Sequence, residues 1–126
     1  MRESGEMYLE TMLILGKEND TVRATDVASR LGYSKASVSR AVGKLSSEGY
    51  IVVGSNGHIA LTERGRGLAE KIYERHRVLT EILTSLGVDP KCAAIDACRI
   101  EHVISDEAFT AIKLHRENYG TNRDPG

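Results

Sequence analysis

Mainly α with one small β-hairpin is the fold class this sequence predicts: a winged helix-turn-helix followed by an all-helical lobe. Three observations predict it. Apolar residues recur at helical spacing over most of the 126 residues. Two short helical stretches meet at a turn containing Gly32. Two β-forming runs, Tyr50-Ile51-Val52-Val53 and His58-Ile59-Ala60-Leu61, flank the turn-forming Gly54-Ser55-Asn56-Gly57.

The elements follow in order. Met7, Leu9, Met12, Leu13 and Leu15 make an apolar stripe over 6–16, ended by Gly16 and the polar Lys17-Glu18-Asn19-Asp20. Residues 23–33 read as a short helix capped by Thr25, whose Gly32 takes the left-handed stop. Ser34 opens the next helix, which runs to a stop at Gly49 with Val38, Val42 and Leu45 inward and small hydroxyls outward. With the hairpin behind it, this order is that of a winged helix-turn-helix over 1–63, in which the second helix enters the major groove. A small α+β domain with no nucleic acid is the alternative.

Thr62 is the expected cap of a long helix carrying Leu68, Ile72, Tyr73, Leu79, Ile82, Leu83 and Leu86 up to Gly87, with Gly65 where a capping box would place Glu. Val88-Asp89-Pro90 reads as a break, 91–105 as a helix, and 106–119 as a last helix capped by Ser105 or Asp106. The helical lobe thus covers 64–119. The tail 120–126 offers no packing residues and is expected to be disordered.

A chain of this length with 40% apolar residues suffices for one core or two small lobes. No stretch approaches 18 apolar residues, and Met1-Arg2-Glu3-Ser4-Gly5-Glu6 lacks the pattern of a signal peptide, so a cytoplasmic location is expected. Cys92 and Cys98 fit a reducing compartment better than a disulfide scaffold. Between 23 and 77 there are ten Lys or Arg against five Asp or Glu, and from 81 onward five against eight. The first part leans basic, as a nucleic-acid face would, although a solvated helical surface gives imbalances of this size as well.

The run Cys98-Arg99-Ile100-Glu101-His102 is the main chemical signal. At i, i+3 and i+4 on a helix, a thiol, a carboxylate and an imidazole turn to one side, about 5–6 Å apart at Cβ, close enough to share an ion. One helix cannot close a coordination sphere, so other segments must contribute. Candidates are His76, and Met7 with Glu10 at i, i+3 on the first helix. Each also has an ordinary explanation: Met7 as core filler, Glu10 as a solvated charge, His76 as a basic surface residue.

Glu6-Met7-Tyr8-Leu9-Glu10-Thr11, Arg75-His76-Arg77-Val78-Leu79 and the stretch Asp96-Ala97-Cys98-Arg99-Ile100-Glu101-His102-Val103-Ile104-Ser105-Asp106-Glu107 resemble the three ligand-bearing segments of the diphtheria-toxin-repressor family of iron- and manganese-dependent transcriptional repressors. The resemblance is to the two-domain form lacking the C-terminal SH3-like domain. It implies a primary metal site of Met7, Cys98, Glu101 and His102. It also implies a second ion near Glu10 and His76, with Glu101 shared, as in the manganese branch. The iron branch builds its ancillary site differently, and this chain has Thr80 and Ala94 at two of those ligand positions, with Glu81 as a shifted substitute. The soft thioether and thiolate favour Fe(II) over Mn(II), and Ni(II), Co(II) or Zn(II) should bind at least as tightly in vitro.

The resemblance further implies a homodimer through 91–119 and a pseudo-palindromic operator on double-stranded DNA. Ser34, Lys35, Ala36, Ser37, Ser39 and Arg40 occupy the exposed start of the recognition helix, Arg40 being suited to a bidentate base contact or a phosphate clamp. Lys44, Asn56 and His58 are expected on the DNA backbone. The competing reading is a thiol-based redox regulator using Cys98 and Cys92. No enzymatic activity is expected, because no independent general base or oxyanion-donor loop accompanies the Glu101-His102 pair.

Overall fold

The computed structural model describes residues 3–123. The elements run α1 (Glu3–Glu18), α2 (Ala24–Leu31), α3 (Lys35–Ser47), β1 (Ile51–Val53), β2 (Ile59–Leu61), α4 (Glu63–Ser85), α5 (Pro90–Ile100) and α6 (Asp106–Arg123). They divide into two compact units, one through Lys71 and the other from Ile72, so the residues of α4 are shared between them.

In the first unit α1, α2 and α3 pack around Leu9, Val27 and Val38, with Ile51 from the hairpin; all four are essentially removed from solvent. Burying side chains of this size stabilises the unit by about 1.5–3 kcal/mol each. Val42, expected inside, is only half-buried. The turn between α2 and α3 is set by Gly32, at φ 72°, whose N–H donates to Ala28 O at 2.9 Å. Ser34 then caps α3, its Oγ accepting the Ser37 N–H at 3.1 Å.

The cap of α2 differs from the sequence expectation. Thr25 lies within the first turn, the N-cap is Arg23, and the Arg23 N–H donates to the Asp26 carboxylate at 2.8 Å. An acid at the third helical position closes the same loop as a capping-box Glu, without a hydroxyl at the cap.

The two strands pair antiparallel with Ile51 opposite Leu61 and Val53 opposite Ile59. The Ile59 N–H also donates to Val22 O at 2.7 Å, anchoring the hairpin to the segment that enters α2. At the wing tip Arg23 donates to the Asn56 carbonyl at 2.7 Å, and its guanidinium lies 3.0 Å from His58 Nε2.

Thr62 caps α4 as expected, accepting the Gly65 N–H at 3.1 Å while its hydroxyl donates to Gly49 O at 2.7 Å. Gly65 explains the missing capping-box acid. A Cβ there would sit 1.9 Å from the Tyr50 carbonyl oxygen, so only glycine lets α4 start against the residue that leads into β1.

Among the described residues the second unit holds helices and turns and no strand. Asp89 caps α5, accepting the N–H groups of Lys91 at 3.1 Å and Cys92 at 3.4 Å, with Pro90 in the first helical position. The α5 helix ends at Ile100, not at 105, and residues 101–104 form a turn. Ser105 caps α6, accepting the Ala108 N–H at 3.0 Å. The α6 helix continues past 119 to Arg123, across residues expected in a disordered tail. Gly120 weakens a helix without ending it, and the first strong breaker is Pro125. Residues 124–126 of that tail lie outside the described residues. Among the described residues no helix is long and apolar enough to cross a membrane.

Candidate metal centre and nucleic-acid interface

Glu101 is the centre of the polar cluster in the second unit. Its side chain is 0% exposed, and its carboxylate lies between two imidazoles, Oε2 at 2.9 Å from His76 Nδ1 and Oε1 at 3.3 Å from His102 Nε2. Donor atoms of Cys98, Glu101 and His102 lie within 4.8 Å of one another, a separation that one cation can span. These donors converge although α5 ends before Glu101. Glu101 keeps helical backbone angles (φ −58°, ψ −25°), and its N–H still donates to Ala97 O at 2.9 Å, so the helical spacing outlasts the regular helix.

Arg75 bonds to that turn at several points, and sequence reading missed it. Buried beside His76 on α4, its Nη1 donates to Glu101 O at 3.2 Å and Ile104 O at 2.8 Å, while Nη2 pairs with the Asp106 carboxylate. Its guanidinium lies 5.5 Å from the centre of the Phe109 ring. A basic residue in Glu74-Arg75-His76-Arg77 reads as surface; only the period that buries Ile72, Val78 and Leu79 hints otherwise.

The remaining metal candidates are placed as follows. Met7 and Glu10 lie one turn apart on α1 in the first unit, where Tyr33 donates its hydroxyl proton to Met7 Sδ at 3.5 Å and Glu10 is buried. Thr80 returns its hydroxyl to His76 O at 2.7 Å, and Ala94 is half-buried on α5. The Glu81 carboxylate is engaged by Arg116 of α6. Cys92 is exposed with its thiol 3.8 Å from Asp96 Oδ2, and Cys92 and Cys98 are not joined by a disulfide.

In the first unit Ser34, Lys35, Ala36, Ser39, Arg40 and Lys44 are exposed on or at the start of α3, and Ser37 is half-buried. The hydroxyls are linked: Ser34 donates to Ser37 Oγ at 3.0 Å, and Arg40 reaches the same oxygen at 3.4 Å. Asn56 is exposed at the wing tip, where its side chain accepts the His58 N–H at 3.1 Å; His58 is half-buried. Arg23, which holds both, is a further residue that sequence reading missed, because its partners lie 33 and 35 positions away.

An exposed helix lined with serines and cations, followed by a two-stranded wing, defines the class: a winged helix-turn-helix protein, here carrying a helical unit with a Cys-Glu-His cluster around a buried carboxylate. Residues 1–59 match the N-terminal DNA-binding domain of iron-dependent repressors, and residues 62–122 match their metal-binding and dimerisation domain. The chain belongs to this diphtheria-toxin-repressor family. It is 34% identical over 121 residues to an uncharacterized HTH-type transcriptional regulator of Methanocaldococcus jannaschii, covering 94% of this chain and 97% of that one. With the diphtheria toxin repressor of Corynebacterium diphtheriae it shares 37% identity over 106 residues, covering 83% of this chain and 47% of the repressor, so it spans about half that relative's length. A manganese-dependent transcriptional repressor solved in complex with manganese superposes with a TM-score of 0.81 at 27% identity, covering 88% of this chain and 51% of the other.

Proposed function

We propose that this chain is a metal-dependent, DNA-binding transcriptional repressor that senses Fe(II) and controls genes of metal homeostasis, acting in the cytoplasm. The observation that carries the reading is the convergence of Cys98, Glu101 and His102 around a fully buried carboxylate. Their chemistry fits a divalent cation: a thiolate and a carboxylate in a buried site call for a compensating positive charge, which the ion supplies.

In this reading Cys98, Glu101 and His102 hold the primary ion with Met7, as the family resemblance implies. Glu10 and His76 serve a second ion alongside Glu101. Sulfur ligands favour Fe(II), and Mn(II) is the alternative physiological metal; Co(II), Ni(II) and Zn(II) compete in vitro through their higher intrinsic affinity. The protein binds as a homodimer, through the helices of 91–119, to a pseudo-palindromic operator. Arg40 reads a base edge or clamps a phosphate, while Ser34, Lys35, Ala36, Ser37 and Ser39 line the groove and Lys44, Asn56 and His58 contact backbone. Metal and operator binding strengthen each other by about 1–3 kcal/mol, reciprocally.

The test is operator binding by purified protein across Fe(II), Mn(II), Co(II), Ni(II) and Zn(II) under anaerobic conditions, with bound metal quantified in parallel. Binding should require metal, vanish with chelator and fall steeply with salt as phosphate contacts are screened. Operator affinity indifferent to chelator overturns the proposal.

A further inference from the structure

Consecutive residues of α4 grip opposite ends of one residue. His76 meets the Glu101 carboxylate at 2.9 Å, and Arg75 donates to the Glu101 carbonyl at 3.2 Å. The same guanidinium reaches Ile104 O at 2.8 Å and the Asp106 carboxylate, so it spans the whole turn between α5 and α6.

We infer that Arg75 is a positioning residue of the metal site: it pins the turn 101–104 so that Glu101 and His102 stay aimed at the cluster before an ion arrives. The physical need is specific. A helix that ends inside a protein leaves carbonyls without intrahelical donors, and a buried carbonyl without a donor costs free energy. Within the turn the Val103 and Ile104 N–H groups both donate to Ile100 O, at 3.0 Å each. The Glu101 and Ile104 carbonyls are served by Arg75. A planar guanidinium presents several donors in a fixed fork, so one side chain can hold two carbonyls and a carboxylate at once, which a single ammonium cannot do with the same geometry. Asp106 balances the charge, and Phe109 covers the group from one side. His76 and Arg75 therefore fix both the head and the root of Glu101, which is what holding a ligand ready requires.

This inference rests on the metal-site reading, and its test separates the two. Arg75→Met and Arg75→Lys variants of the full chain, together with Asp106→Asn, are compared with the parent by amide hydrogen exchange of 101–105 without metal and by Mn(II) titration. Arg75→Met should lose exchange protection in that turn and weaken Mn(II) binding about 10–100-fold, the range for removing a partner that orients a ligand. Arg75→Lys should recover part of both, and Asp106→Asn should weaken binding only a few-fold. Should Arg75→Met not fold, Arg75→Lys and Asp106→Asn decide, because both keep a cation in place. Parent-like exchange and parent-like Mn(II) affinity in the folded variants overturn the role of Arg75. A parent chain that binds none of Fe(II), Mn(II), Co(II), Ni(II) and Zn(II), with the turn still loosened by Arg75→Met, overturns the metal reading and leaves the pinning intact.

Discussion

Two polar clusters, one at the start of α3 and one around Glu101, are built in opposite ways. On or at the start of α3, Ser34, Lys35, Ser39, Arg40 and Lys44 are exposed and Ser34 and Arg40 both reach the Ser37 hydroxyl, whereas in the second unit Glu101 is fully buried and Arg75 nearly so, each held by partners from other segments. Exposed donors on a short-range network can rearrange against a long polyanion at little cost. Buried donors must be placed by the fold, since an unsatisfied charge there is expensive. The first arrangement suits a surface that reads DNA, the second a pocket that selects a small cation. Substitutions should therefore separate cleanly: changes on α3 should alter operator affinity and leave metal binding alone, and changes around Glu101 should do the reverse first.

The largest effect is expected from Glu101→Ala, which should weaken metal binding about 100-fold or more, beyond the cost of losing an orienting partner. Metal titration of the variant checks this, and near-parent affinity would remove the buried half of the contrast. Gly65→Ala should cost about 2–3 kcal/mol in chemical denaturation, within the range for forced overlap in a packed site. Its metal titration should show no loss of Cys98, Glu101 or His102 as ligands, so a drop in affinity at temperatures where the protein stays folded would contradict a site built by those residues. Arg40→Ala should weaken operator binding by about 1–3 kcal/mol and relax preference at one base position, measured by competition with operator variants. Metal affinity measured without DNA should be unchanged; if it falls, the surface and the pocket are not separable. Ser34→Ala, which removes the α3 cap, should lower stability by about 1 kcal/mol, read as a shift in denaturation midpoint. A shift as large as that of Gly65→Ala would mean that α3 is far less forgiving than its exposure suggests.

Local signals carried most of the first unit. Gly32, Ser34 and the Gly54 to Gly57 turn each specify a backbone event within four residues, and the helix-turn-helix and wing follow from them. The Cys98, Glu101 and His102 cluster was legible for the same reason, because its spacing is one helical turn. What was not legible depends on distant segments. The Arg75 contacts to Glu101, Ile104 and Asp106 span 26, 29 and 31 positions, and nothing in the charge pattern around Arg75 marks it as buried. The early end of α5 belongs with this, since Arg75 supplies a donor to the carbonyl of the residue that closes the helix. The pairing of Glu81 with Arg116 spans 35 positions and is likewise invisible to local spacing. Thr25 lost its capping role to a neighbour because Asp26 can close the turn from inside the helix.

The Gly65 approach to the Tyr50 carbonyl bears on how a mutational survey of this protein should be interpreted. In a saturation screen scored by repression of a reporter, position 65 should reject every substitution, as sharply as a ligand position. Its ranking would place it among the sensor residues, although it offers neither a donor to an ion nor a side chain to DNA. A parallel screen scored by cellular abundance separates the groups: Gly65 variants should disappear from both, whereas Arg40 variants should persist in the second while failing in the first.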